Sequence, residues 1–345
     1  MRDKLLLEVN SLTFPNLTKT IGELKLIDTL NIKDQTLDII LSTTSDDTYL
    51  TLKDLLEERY KSLYSTISIT KKAQKKDMNY GNSTTPNNRA PYAKNVIAVT
   101  SGKGGVGKST VCVNTAIALA QKGYSVGLLD ADVYGPNVAR LTKTENEKLK
   151  WDNQDKMIPA ENFGIKIMSV AHTTPKMDTP LVWRSSVAVS ALMQFLEDVA
   201  WGELDFLVID MPPGTGDVQL TMAQELPISA AILVTTPQLI STDDVSRAIM
   251  MFKDIKVPMA GIVENMSYFI APDTQKRYNI FGSGGGEEIA KKYNLNLLAQ
   301  IPLNMQIREG SDLGLPPIAL GSEELKKYYQ EVVENMLKNI EFNID

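Results

Sequence analysis

From residue 95 onward, short runs of consecutive apolar, β-branched residues alternate with longer stretches in which apolar residues return every three or four positions. Runs of the first kind suit strands buried on both faces, and stretches of the second kind suit helices with one packed face. The pattern predicts strands at 95–100, 125–130, 165–170, 204–210, 230–235, 259–264 and 297–301. Helical spacing marks 109–122 and, in an acidic stretch, 323–345. Ala188, Leu192, Phe195 and Val199 keep the same period and are expected to pack a core, not to form a cofactor box. Strands alternating with helices build a doubly wound, mostly parallel α/β sheet, whose ligands sit at the carboxyl ends of the strands.

The first part of the chain reads differently. Leu5, Val9 and Leu12 mark a helix, 24–32 and 36–42 read as strands, 50–63 as a helix, and 65–70 alternates. Residues 1–70 are expected to form a small α+β domain. Residues 71–92 are basic, then rich in Asn, Ser, Thr and Pro, with almost no apolar content, as in a flexible linker. Lys71, Lys72, Lys75 and Lys76 lack interleaved aromatics, so a solvated tether suits them better than a nucleic-acid patch. The main domain is then 93–345.

At the carboxyl end of its first strand stands Val99-Thr100-Ser101-Gly102-Lys103-Gly104-Gly105-Val106-Gly107-Lys108-Ser109-Thr110. Strand, glycine loop and helix come in the order of a P-loop NTPase, with backbone N–H groups and a helix N-terminus converging on one anion. Residues Gly102, Gly104, Gly105, Val106, Gly107, Lys108, Ser109 and Thr110 are therefore expected to bind nucleotide. Lys108 would neutralise the terminal phosphates and Ser109 would coordinate Mg²⁺. A second lysine, Lys103, adds little to a phosphate cradle that Lys108 already serves. The spelling resembles the deviant class of P-loop ATPases, which implies that Lys103 crosses a dimer interface to the other subunit's nucleotide. The bland alternative is a solvated lysine that only attracts nucleotide.

Carboxylates close two other strands. After 125–130 comes Asp130-Ala131-Asp132, where Asp132 is the candidate for orienting the attacking water and Asp130 for organising the Mg²⁺ shell; turn capping is the alternative. Asp210 ends an apolar strand, the usual P-loop arrangement for holding Mg²⁺. The Pro212-Pro213-Gly214-Thr215-Gly216 segment after it suits a switch loop sensing the γ-phosphate. Asn265, following 259–264, carries a donor and an acceptor that match the edge of adenine. Gly282-Ser283-Gly284-Gly285-Gly286 reads as a tight turn or hinge, with an anion site as the alternative. His172, the only histidine, is expected to be a neutral surface residue.

Composition narrows the setting. A chain of 345 residues with 43% hydrophobic content can fill a main core and an accessory one. A net charge of −6 argues against a DNA-coating surface. No apolar run approaches the roughly twenty residues that span a bilayer, and the first ten lack signal-peptide organisation. One cysteine, Cys112, excludes an intrachain disulfide framework. The expected setting is cytoplasmic, with an organelle interior left open, and without nucleic-acid or membrane partners.

Together, GKGGVGKST, DADVYGPN, WGELDFLVIDMPPGTGD, VTTPQ, GIVENMSYF and IFGSGGG resemble the Mrp family of iron–sulfur cluster carrier ATPases over essentially all of residues 94 to 320. The start of the chain is similar to the small domain often fused to these ATPases, with Phe14-Pro15-Asn16-Leu17-Thr18-Lys19-Thr20-Ile21 where the family usually has a DPE-containing segment. The resemblance implies a homodimer that binds ATP between subunits, hydrolyses it, and helps load iron–sulfur clusters onto apo recipient proteins. One departure bears on the cluster. Family members that bind one carry CxxC after the ENMSYF segment, so that two subunits supply four thiolates. Here Ala271-Pro272-Asp273-Thr274 offers only hard oxygen donors, and Cys112 reads as a small buried hydrophobe. Arg184-Ser185-Ser186 also replaces the family's Arg-Gly-Pro. Two alternatives stay open: a positioning ATPase of the MinD or ParA type, and a nucleotide-gated scaffold with little turnover. The acidic balance of 323–345 is unlike the basic interfacial anchor that the first would need.

Overall fold

The computed structural model describes residues 2–15, 19–24, 26–33, 35–43, 46–71, 88–173 and 185–342. Lys72, Lys75, Lys76, Arg184 and residues 16–18 of the Phe14–Ile21 segment lie outside the described residues. Contacts divide the chain into two compact units, Met1–Thr84 and Thr85–Asp345.

The first unit contains helix α1 (Arg2–Ser11), strands β1 (Ile27–Lys33) and β2 (Thr36–Leu41), helix α2 (Asp46–Tyr60) and strand β3 (Thr66–Lys71). β1 and β2 pair antiparallel; β2 and β3 pair parallel, which requires the α2 crossover between them. Alternation in β2 sends Leu37, Ile39 and Leu41 into a core shared with Val9, Leu52, Leu56 and Tyr60. The first strand begins at Ile27, later than its apolar pattern predicts, because the Leu24 N–H donates to the Thr20 carbonyl in a turn (3.1 Å).

The second unit runs β4 (Ala93–Ser101), α3 (Lys108–Gln121), β5 (Val126–Asp130), β6 (Ala160–Asn162), β7 (Ile165–Ser169), α4 (Ser185–Glu197), β8 (Leu204–Asp210), α5 (Asp217–Glu225), β9 (Ala230–Thr235), α6 (Leu239–Asp254), β10 (Met259–Glu264), α7 (Gly285–Tyr293), β11 (Leu297–Gln300) and α8 (Glu323–Asn339). Its sheet has the order β11-β10-β9-β4-β8-β5-β7-β6, parallel throughout except for the β6 edge. Successive residues of β4 serve opposite faces, which is why its apolar run is unbroken. Ile97 and Val99 pack with Val111 and Ile117 of α3 and Val332 of α8. Val96 and Ala98 pack with Leu192 of α4 and Met222 of α5. Ala188, Leu192 and Phe195 form the buried side of α4, while Val199 is buried just beyond the helix, bridged to Met157.

From β4 the chain moves to β5 on one side of the sheet, and later to β9 on the other. The loop after β4 therefore opens at the topological switch point, where doubly wound sheets hold their ligands.

Candidate nucleotide-phosphate site

Gly105 and Gly107 in the loop between β4 and α3 adopt φ of 81° and 83°, a left-handed conformation that favours glycine. Gly107 caps α3 without a side-chain hydrogen bond among the described residues, which leaves first-turn N–H groups directed outward. Gly102 answers a different need. A Cβ there would stand 2.1 Å from the carbonyl carbon of Asp244 in α6, so only glycine allows the loop to seat.

Lys108 lies buried beneath this loop. Its Nζ is 2.7 Å from Asp210 Oδ1, 3.6 Å from Asp132 Oδ2 and 3.3 Å from Ser109 Oγ. Burial pulls the ammonium's pKa down, but Asp210 and Asp132 more than compensate and hold it above its ordinary value. Asp210 Oδ2 is buried and has no hydrogen-bond partner among the described residues. An orphaned carboxylate oxygen near a serine hydroxyl is a hard donor set that fits Mg²⁺. Among the described residues no group of three or more His, Cys, Asp or Glu side chains forms a metal cage, so phosphate oxygens and water would complete the coordination.

The strand ends align as a row. Asp210 of β8 is in register with Asp130 of β5, and Asp130 with Ser169 of β7. Burial and the neighbouring Asp210 push the Asp130 pKa up to about 8, against the pull of Lys108. Its Oδ1 accepts from the Asp132 N–H (3.2 Å), and its Oδ2 from the Val138 N–H (3.1 Å) and the Ser169 hydroxyl (2.9 Å). Beyond the part in the Mg²⁺ shell expected of it, Asp130 binds the segment that carries Asp132 with both oxygens, at the Asp132 and Val138 N–H groups. Burial also raises the Asp132 pKa, with Lys108 opposing.

Asn265, expected to read adenine, is tied to the phosphate loop. Its Nδ2 donates to the Val106 carbonyl at 2.9 Å, so its donor braces the phosphate loop. A Cβ at Gly107 would stand 2.1 Å from that Nδ2. The preceding residue, Glu264, is fully buried and accepts from Ser267 Oγ, Gln300 Nε2 and the Gly286 N–H. The N-terminus of α7 after the glycine turn is thus capped by a carboxylate of the chain itself.

The loop after Asp210 lies along the phosphate loop. The Gly214 N–H donates to the Ser101 carbonyl (2.9 Å), and Gln219 Nε2 bonds Thr100 Oγ1. Lys103 is half-buried; its carbonyl accepts from Ser101 Oγ (2.8 Å), and its ammonium makes no ion pair with any described residue. Thr110, partly exposed in the first turn of α3, accepts at its carbonyl from Asn114 Nδ2 (2.8 Å).

His172 corrects the surface expectation. It is buried in a 3₁₀ turn, where Nδ1 accepts from the Ser169 N–H (3.3 Å) and Nε2 faces Thr144 Oγ1 (3.1 Å). Burial lowers its pKa, keeping the ring neutral. Cys112 is fully buried in α3, with its thiol pKa raised by burial and by Asp210. Residues 271–274 form the tip of a small hairpin between Phe269–Ile270 and Arg277–Tyr278, with the Ala271 N–H donating to the Lys276 carbonyl (3.0 Å). No helix among the described residues is long and apolar enough to cross a membrane. Ser169 and Glu264, at strand ends, and Gln219, inside α5, had no signal in the sequence beyond those places.

Residues 92–337 match the ParA-type family model described as NUBPL iron-transfer P-loop NTPase. A relative from Aquifex aeolicus named iron–sulfur cluster carrier protein is 45% identical over 258 residues, 74% of this chain and 71% of its own length. One of the same name from Synechocystis is 41% identical over 309 residues, 88% of this chain and 87% of its own, so that match extends beyond the second unit. The solved structure of a nucleotide-binding protein from Archaeoglobus fulgidus in complex with ADP superposes with a TM-score of 0.61 at 37% identity, covering 70% of this chain and 94% of that one.

Proposed function

This chain belongs to the ParA-type family of NUBPL iron-transfer P-loop NTPases, and on that premise we propose that it binds and hydrolyses ATP as a homodimer and acts as an iron–sulfur cluster carrier or assembly factor. The observation that carries the reading is the convergence of Lys108, Asp132 and Asp210 beneath the phosphate loop, with Asp210 Oδ2 unpartnered among the described residues. Loop N–H groups and the Lys108 ammonium grip the triphosphate. Ser109 and Asp210 would hold Mg²⁺, which when bound neutralises charge on the β- and γ-phosphates. Asp132 accepts a hydrogen bond from the attacking water and aims it in line at the γ-phosphorus. The Lys103 ammonium meets the neighbouring subunit's phosphates in the closed dimer, as an arginine finger does.

The cluster is cargo in this reading. Residues 271–274 supply no thiolate, and the single thiol, Cys112, is sealed in the core. The thiolates that hold a cluster therefore come from recipient or assembly proteins, and this chain contributes nucleotide-gated contact. The MinD-like positioning alternative has no specific support: α8 opens with Glu323 and Glu324, not with a basic face.

The test is phosphate release by purified protein with ATP, with and without Mg²⁺, across a range of protein concentrations. Mg²⁺-dependent release whose rate per protomer rises with concentration is expected. ATP binding without release would leave the scaffold reading in its place. Anaerobic reconstitution with iron and sulfide should give no stoichiometric cluster absorption.

A further inference from the structure

Ser169 ends β7 at the outer position of the Asp210–Asp130–Ser169 row, and its side-chain hydrogen bonds go to Asp130 and Ala171. We propose that Ser169 is a positioning residue for ATP hydrolysis, holding the Asp132 segment in place through Asp130. The inference rests on the functional reading above, in which Asp132 orients the attacking water.

The hydroxyl of Ser169 is committed in both directions. It donates to Asp130 Oδ2 at 2.9 Å and accepts from the Ala171 N–H at 3.2 Å, so its proton is aimed at the carboxylate. Ser169 is itself immobilised, because its N–H donates to Nδ1 of the buried His172, which is held at Nε2 by Thr144. Asp130 then clamps both ends of one segment. Asp132 N–H is bound at Oδ1, and Val138 N–H, which opens the short helix Val138–Leu141, is bound at Oδ2. Asp132 is the first of these two points, with its carboxylate 3.6 Å from Lys108 Nζ.

Asp130 and Asp210 are two fully buried carboxyl groups side by side on adjacent strands, an unfavourable pairing that the donors around Asp130 offset only in part. Without the Ser169 hydroxyl, Asp130 loses the donor that β7 supplies to its Oδ2. Its Oδ2 is then held by the Val138 N–H alone, and the Asp132 backbone bound at Oδ1 is positioned less firmly. The phosphate loop, built from β4 and α3, does not depend on this bond. Misplacement of Asp132 should therefore slow the chemical step and spare nucleotide binding.

The test compares wild type, Ser169→Ala and Ser169→Thr by steady-state phosphate release, binding of a non-hydrolysable ATP analogue, and amide hydrogen exchange in residues 132–138. For Ser169→Ala, kcat is expected to fall roughly tenfold, the magnitude of one lost buried hydrogen bond. KM and analogue binding should stay within about twofold, and exchange at 132–138 should quicken. Ser169→Thr, which keeps the hydroxyl, should recover most of the rate. Unchanged turnover and exchange in Ser169→Ala would overturn the inference, as would equal losses in kcat and analogue binding. If wild type itself released no phosphate, the functional reading and this inference would fall together, which separates that failure from the inference failing alone.

Discussion

Lys108 and Asp210, 102 residues apart in sequence, meet at 2.7 Å in the buried floor of the phosphate loop. The lysine is the only cation there among the described residues, with Asp130 and Asp132 also within its field. Lys108→Met should therefore do more than abolish ATP binding. It leaves buried carboxylates uncompensated, and urea unfolding at pH 7 should register a loss of about 3 kcal/mol. A variant as stable as wild type would show that the cluster does not depend on its cation.

Glycines 102 and 104 should separate folding from binding. A Cβ at Gly102 meets the Asp244 backbone at 2.1 Å, so Gly102→Ala should lower the melting temperature and weaken ATP binding together. At Gly104 nothing among the described residues lies within 4 Å of the added carbon. Gly104→Ala should melt like wild type yet bind ATP more weakly if, as proposed, a phosphate takes the space that the added carbon enters. Undiminished binding measured by calorimetry would place the phosphate elsewhere.

Lys103→Ala and Asp132→Asn should both keep ATP binding while losing turnover, but for different reasons. The ammonium of Lys103 pairs with no described residue, so its removal should spare the fold and lower phosphate release by roughly 10³, the lower range for a cation supplied in trans. Wild-type and Lys103→Ala protomers mixed in one dimer should show intermediate rates. Asp132→Asn acts within its own subunit, and mixing would not restore the affected site. Wild-type turnover in either variant would remove that residue from the mechanism.

Protonation of His172 should set part of the acid sensitivity. Burial holds its pKa below the ordinary 6.5, so below that pH the unfolded chain takes up a proton that the native ring resists. Native stability therefore falls as pH drops through this window and is fully retained above it. His172→Gln should lose some stability at pH 8 but decline less between pH 7 and 5, as read by urea midpoints. An unaltered slope would mean that other groups govern this range.

Much of the fold was legible because burial on both faces demands unbroken apolar runs. β8, β9 and β10 begin and end where those runs do. The two-residue strands around 271–274 and the antiparallel β6 edge were not, since so few residues carry no period and their pairing depends on what lies beside them. The phosphate loop was legible for a related reason: glycines before a lysine and a serine, between strand and helix, encode a local backbone path.

The row of strand ends was another matter. Asp130, Asp210 and Ser169 come from three separate strands, and only the parallel register sets them side by side. The same holds for Asn265, whose amide meets the phosphate loop across 159 residues, and for His172, whose polar flanks read as surface until the 3₁₀ turn carries it inward. By itself the sequence determined the glycine-loop path between the first strand and helix of the main domain and which strands would be buried, because those depend on near neighbours and side-chain periodicity. Only the tertiary structure decided which carboxylate faces the lysine, which one anchors a loop, and which hydroxyl holds it, because those depend on strand order and on charges brought together out of water.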